Sequence, residues 1–256
     1  MVSCILASYL AFGAATVTTH AQGAIAPVPK AAEGTSPDTL YAQREDITKA
    51  KQAADIWQAR SAGGKDFESL WKLSKAAYYL GTLGPKDEQQ AELDRGITAG
   101  KQAADLAPGK PDGWFWWGGN MGEMAQKVSM FSAKKYVDPM KQAFEKIIAM
   151  QPGWQEGSAE SALGQWYIQV PGNMFCCGGD KDKGITWLRK ALTYNPESSN
   201  IRYSLAEVLA NDGKTRAEAM DLLQKVLAAP IDPDWAPEDK NFKVKAQALL
   251  AKLTKK

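Results

Sequence analysis

Gly113 to Ala125 reads GWFWWGGNMGEMA, with three tryptophans in four positions and three glycines behind them. At helical spacing Trp114, Trp117 and Met121 share one face, with Gly118 beside them. That order suits the first helix of a helical hairpin. Bulky side chains wedge against a partner, and glycines let a neighbouring helix come close. Trp114, Trp117 and Met121 are therefore expected as core wedges, with Gly118 and Gly122 as points of close approach. Phe115 and Trp116 are expected to point elsewhere.

The same order recurs outward from this stretch. Leu163-Gly164-x2-Tyr167 and Leu205-Ala206-x2-Leu209 repeat it, and Leu70-x2-Leu73-Ser74-x2-Ala77 is a fainter copy. A second pattern alternates with it: Gly96-x3-Gly100-x2-Ala103-x4-Pro108, Met140-x3-Phe144-x2-Ile147-x4-Pro152 and Gly184-x3-Leu188-x2-Ala191-x4-Pro196. A looser fourth copy, Ala219-x3-Leu223-x2-Val226, reaches Pro230 one residue early. This is the second-helix signature of a tetratricopeptide repeat. The fold expected is all-α: tetratricopeptide-like helical hairpins in a curved right-handed superhelix. Successive repeats exceed the usual ~34 residues, so the loops between helices are expected to be long. Helices are placed near 45–61, 66–81, 86–106, 112–131, 137–150, 156–169, 181–194, 199–211, 215–228 and 237–253. Asp66, Asp112, Asp180 and Ser198 serve as start signals, and Gly81, Gly153 and Gly213 as stops.

The N-terminal residues differ in kind. Val2 to Val17 is uncharged and mostly apolar, yet shorter than the ~20 residues a membrane span requires. Thr19-His20-Ala21 then offers small residues ahead of a cleavage point. Residues 1–21 read as a signal peptide, 22–44 as a flexible linker rich in Ala, Pro and Gly, and 45–256 as the repeat domain. Apolar residues follow Cys4, where a lipoprotein turns polar, so a lipid anchor there is not supported.

Cleavage before Gln22 would leave no histidine, and only Cys176 and Cys177 as cysteines. Ser-His-Asp and Cys-His nucleophile systems and His-ligated zinc are then excluded. The adjacent cysteines lack C-x-x-C spacing, so a structural loop role is expected for them. Asp180-Lys-Asp-Lys-Gly184 fails as a calcium loop, with Gly184 and Ala191 where ligands belong, and no phosphate-binding loop is present. No enzyme activity, metal or cofactor is expected. A net charge of +2 gives no electrostatic case for nucleic acid.

Repeat phase puts Trp71, Lys75, Tyr78, Phe115, Gly119, Ser161, Gln165, Tyr203 and Glu207 on the concave face. Trp116 stands beside them. Aromatics with a few polar groups and one cation suit a small amphiphile or a partner's extended segment. Trp71, Lys75, Tyr78, Phe115, Trp116, Gln165, Tyr203 and Glu207 are the candidate binding residues.

Seven stretches together resemble the T-component family of tripartite ATP-independent periplasmic (TRAP) transporters, over about residues 60 to 253. They are FESLWKLSKAAYYL (67–80), Gly96 to Pro108, GWFWWGGNMGEMA, SALGQWYIQVPG (161–172), Gly178-Gly-Asp-Lys181, WLRKALTYNP (187–196) and PDWAPEDKNF (233–242). The most specific are the V-P-G…G-G-D-K loop and the D-P-D-W-A-P-E-D motif. The resemblance implies a periplasmic accessory protein that associates with the transporter's solute-binding protein. It also implies shielding of a small apolar organic acid in a cleft or pore, and a homo-oligomer such as a trimer. Asn173-Met-Phe-Cys-Cys177 departs from the family's loop. The other reading of the repeats is a general adaptor for protein–protein contacts in the cell envelope.

Overall fold

The computed structural model describes residues 35–172 and 178–255. The expected signal peptide and the Cys176–Cys177 pair lie outside the described residues. Those described form helices and no strand: α1 (Pro37–Ala42), α2 (Ile47–Ser61), α3 (Phe67–Leu83), α4 (Gln89–Leu106), α5 (Pro111–Lys127), α6 (Met130–Met150), α7 (Trp154–Gln169), α8 (Lys181–Tyr194), α9 (Ser199–Leu209), α10 (Arg216–Ala228), a 3₁₀ turn at Pro233–Trp235, and α11 (Ala236–Thr254).

The expected hairpins are α3/α4, α5/α6, α7/α8 and α9/α10, each packed in chain order against the next. The twelve pattern positions that precede the prolines, from Gly96 on α4 to Val226 on α10, are all buried, and the prolines themselves are exposed. Removing these apolar faces from water is what holds the stack, since helices of this length are marginal alone. The first helices α3, α5 and α7 each touch the next first helix, and α9 touches α11, whereas the second helices meet mainly first helices. The first helices therefore line the inner, concave side, as repeat phase requires.

Capping explains most boundaries. The Asp66 carboxylate accepts from the Ser69 N–H at 3.1 Å, Asp180 from the Asp182 and Lys183 N–H groups at 3.1 Å, and Ser198 from Ile201 at 3.3 Å. These satisfy N–H groups that the first helical turn leaves orphaned. The loop before α8 closes tightly: Asp180 N–H donates to the Tyr167 carbonyl at 2.8 Å. A Cβ on Gly179 would sit 1.7 Å from the Val170 carbonyl oxygen, so the G-G-D-K motif needs glycine there.

Several boundaries differ from expectation. Asp112 is not a cap; Pro111 opens α5, and Asp112 sits in its first turn. Gly81 lies inside α3, which runs on to Leu83. α5 ends at Lys127 rather than 131, and α6 begins at Met130 with Ser129 as its cap. Pro139 is an interior residue of α6; its ring forfeits one backbone bond, which the packed helix tolerates. At the start of α7, Gln155, Glu156 and Gly157 are left-handed. A Cβ on Gly157 would come 2.9 Å from the Ala191 carbonyl oxygen, so α8 is already against this turn. Part of the expected linker is also ordered: residues 37–42 form α1, and Tyr41 packs at 5.7 Å from Trp57 and 6.2 Å from Tyr79.

The opening stretch resolves differently from expectation as well. Met121 is buried as a wedge, but of the tryptophans it is Trp116 that is buried, at 4% exposure, while Trp114 and Trp117 are half-buried. The cause lies in α4. Gly100 approaches so closely that a Cβ there would be 2.8 Å from the Trp117 backbone. No room remains for a ring between the two helices, and the Trp117 indole packs beside Trp114, at 5.7 Å, near Lys101. Gly118 behaves as expected, with the Phe144 ring of α6 lying where its Cβ would be. A polar hub pins α3, α4 and α5 together. The Asn120 amide donates to the Ser74 carbonyl at 3.0 Å and the Trp116 carbonyl at 2.8 Å, and the Ser74 hydroxyl donates to the Gly96 carbonyl at 2.7 Å.

Candidate functional site

The D-P-D-W-A-P-E-D motif builds one wall of the inner cleft. Asp232 caps the 3₁₀ turn by accepting from Asp234 N–H at 2.9 Å, and its own N–H donates to the Asp239 carboxylate at 3.0 Å. Pro233 is the first residue of the turn and Pro237 the second of α11, both within the first turn, where no intrahelical acceptor awaits the missing N–H. This rigid corner carries Trp235 and Glu238 to the N-terminal helices. Arg44, between α1 and α2, donates to both Glu238 carboxylate oxygens at 3.1 and 2.7 Å and to the Asp234 carbonyl at 2.5 Å. Lys240 pairs with Glu45 beside it. The two ends of the described chain are thereby clasped. Further along α11, Phe242 lies 5.8 Å from Tyr203 of α9, and Ala246 and Leu253 are buried with α9 and α10.

Inside the clasp stands Lys75 of α3. Its ammonium is 5.0 Å from the Trp235 ring centre, 5.3 Å from Tyr41 and 5.7 Å from Trp116, within the ~6 Å range of cation–π attraction. No hydrogen bond to it is found among the described residues; Glu238 and Asp234 act on it only at a distance. Burial first, then the neighbouring Arg44 charge, pushes its pKa down. The Trp116 indole N–H is also buried and has no acceptor among the described residues. Tyr78, 5.6 Å from the Trp116 ring, donates weakly to Glu123 at 3.5 Å. Burial, then the Glu123 charge, raises the Tyr78 hydroxyl well above its ordinary value, and burial raises the Glu123 carboxyl.

The structure thus gathers Lys75, Tyr78 and Trp116 at one place. Tyr203 and Glu207, joined at 2.8 Å, meet α11 through Phe242. Phe115 is drawn into packing instead, 5.0 Å from Trp154 and 6.2 Å from Phe144, so it does not stand apart from the wedges as expected. Trp71 is half-buried near Lys72, and Gln165 lies on α7 with a long contact of 3.5 Å to Ser161. Sequence reasoning missed Tyr41, Arg44, Glu123, Trp235 and Glu238. D-P-D-W-A-P-E-D stood out as specific, but its partners lie at the opposite end of the chain. Among the described residues no cluster of His, Cys, Asp and Glu could hold a metal, and no helix is long and apolar enough to cross a membrane.

A family model described as TRAP transporter T-component matches residues 76–255. The crystal structure of a thermophilic TPR protein of Thermus thermophilus is similar with a TM-score of 0.62 at 18% identity, covering 84% of this chain and 97% of that one. The crystal structure of MamA aligns with a TM-score of 0.47 at 18% identity, over 79% of this chain and 95% of that one. None of the curated proteins matches the sequence. The first of these structures supports the tetratricopeptide-like fold, and the fold alone.

Proposed function

This chain belongs to the TRAP transporter T-component family, and from that premise we propose that it is a non-enzymatic periplasmic accessory. In this reading it associates with the transporter's solute-binding protein and accommodates a small apolar organic acid in its inner cleft. The observation that carries the ligand part is the clasped cleft itself. In an adaptor that grips an extended peptide, the inner face of the first helices is open to its partner. Here the chain's own C-terminal segment lies against that face, and Trp235 closes an aromatic box around Lys75. An inner face covered in this way favours a small molecule over a partner strand.

The test is recovery of the tagged chain from envelope membranes. Co-purification with a solute-binding protein and the two membrane subunits of a TRAP transporter is expected, together with a carboxylic acid detectable by native mass spectrometry. Recovery with unrelated envelope proteins, and none of these components, would overturn the reading in favour of a general adaptor. Sedimentation equilibrium on the same preparation decides whether the chain forms a homo-oligomer such as a trimer.

A further inference from the structure

We infer that the start of α6 is a membrane-surface anchor: Met130 and Phe131 enter the acyl boundary of an anionic bilayer while Lys134 and Lys135 meet its phosphate headgroups. This goes beyond the reading of the inner cleft and does not depend on it. Met130 and Phe131 are 80% and 91% exposed, the two most exposed large apolar side chains among the described residues. They occupy the first two positions of α6, which the Ser129 hydroxyl caps by accepting from Ser132 N–H at 3.2 Å. Nothing in that turn requires an apolar side chain. Met130 lies two turns from buried Val137 and four from buried Phe144, on the same side of the helix. The apolar stripe of α6 therefore runs on past the core into solvent.

The charges around the pair name its occupant. Lys134 and Lys135 follow about one turn later, and both are exposed. The first lysine of α6 to pair with a carboxylate, among the described residues, is Lys141, with Glu145 at 3.6 Å. At 1.5 Å per residue, Lys134 and Lys135 stand about 5 Å beyond Phe131 along the axis, and Asp138, the first acid of α6, about 10 Å beyond it. Apolar, then cationic, then mixed is the order of acyl chains, phosphates and water at a bilayer entered end-on. A pocket on a protein partner would need no such ordering of charge by depth. The N–H groups of Met130 and Phe131 lack intrahelical acceptors, and the positive end of α6 points the same way, so phosphate oxygens suit the tip. Beside it, the Gln90 amide donates to the Lys127 carbonyl at 3.0 Å, which brings up the turn with exposed Lys86 and Asp87; their charges cancel. Lys127 itself donates to Gln89 at 2.7 Å. The net charge of +2 averages this local asymmetry away.

The experiment is flotation of the mature chain, Gln22 onward, with vesicles of phosphatidylcholine alone or mixed with phosphatidylglycerol. The chain should bind the mixed vesicles, less at high salt, and at least tenfold more weakly to phosphatidylcholine alone. Lys134→Gln/Lys135→Gln should weaken binding to the mixed vesicles roughly tenfold or more. Met130→Ser/Phe131→Ser should weaken it at least as much, with an unchanged melting temperature because neither side chain is in the core. Hydrogen exchange on the unaltered chain should show new protection around Ser129 to Lys135 when mixed vesicles are added. No binding to the mixed vesicles, equal binding to both kinds, or variants that bind like wild type would overturn the inference. So would protection confined to another surface. Loss of self-association in Met130→Ser/Phe131→Ser with vesicle binding unchanged would also overturn it, and would assign the pair to an interface between copies. Because the vesicles hold no protein, none of these outcomes bears on the T-component reading.

Discussion

Arg44 and Glu238, 194 positions apart, form a two-point ion pair in which the Arg44 side chain is 4% exposed. A guanidinium and a carboxylate matched fork to fork hold direction as well as charge. Removing one partner leaves the other desolvated and alone. Glu238→Ala is therefore expected to lower stability by ~3 kcal/mol, the low end for a broken buried pair because Glu238 keeps some water contact. Chemical denaturation measures the loss. Limited proteolysis should show new cleavage around the 3₁₀ turn, since the clasp that orders it is gone.

Trp116 and Trp117 give a sharp comparison. Trp116 is buried between α3 and α5, whereas Trp117 packs beside Trp114 and Lys101 with part of its ring in solvent. Trp116→Ala should cost ~3–5 kcal/mol, the range for truncating a buried aromatic. Trp117→Ala should cost clearly less. Urea unfolding of the two variants decides it, and equal losses would contradict the packing described.

Gly118 and Gly122 are one turn apart on α5 and respond oppositely. A Cβ on Gly118 would stand 2.7 Å from the Phe144 ring, which is itself fixed in the core; on Gly122 it would meet the Met140 sulfur at 3.4 Å. Alanine improves helix propensity by ~1 kcal/mol at either position. Overpacking costs ~1–3 kcal/mol at Gly118, so Gly118→Ala should be neutral to destabilising. Gly122→Ala should stabilise, because a thioether chain can shift. Melting temperatures measured side by side would show the difference in sign.

Glu123 makes stability depend on pH in a defined direction. Burial raises its pKa in the folded state above the ordinary value of 4.5, with Lys127 and Lys245 offsetting part of the shift. The unfolded chain then loses this proton first as pH rises, so the contribution of Glu123 to stability falls from about pH 4.5 up through the folded-state value. Glu123→Gln, which removes the charge and keeps the shape, should raise the urea midpoint at pH 7. Below pH 4 the two proteins should match more closely. An equal gain at both values would remove the electrostatic cause.

The hairpin stack was legible in the chain because its information is local. A wedge, a glycine and a closing proline at fixed offsets state which face of each helix must leave water, and the buried positions of α4, α6, α8 and α10 follow those offsets. Capping residues were legible for the same reason, although Asp112 shows that a good cap residue yields to a neighbouring proline. Tertiary structure decided what depends on distant neighbours. Which tryptophan of Trp116-Trp117 is buried was settled by Gly100 of another helix, whose backbone occupies the space a Trp117 ring would need. That Lys75 has no counterion among the described residues was settled by Arg44 and Glu238, which meet only when the two ends of the described chain come together. Periodicity along one helix encodes a face; it carries no record of which charge on another helix has already found its partner.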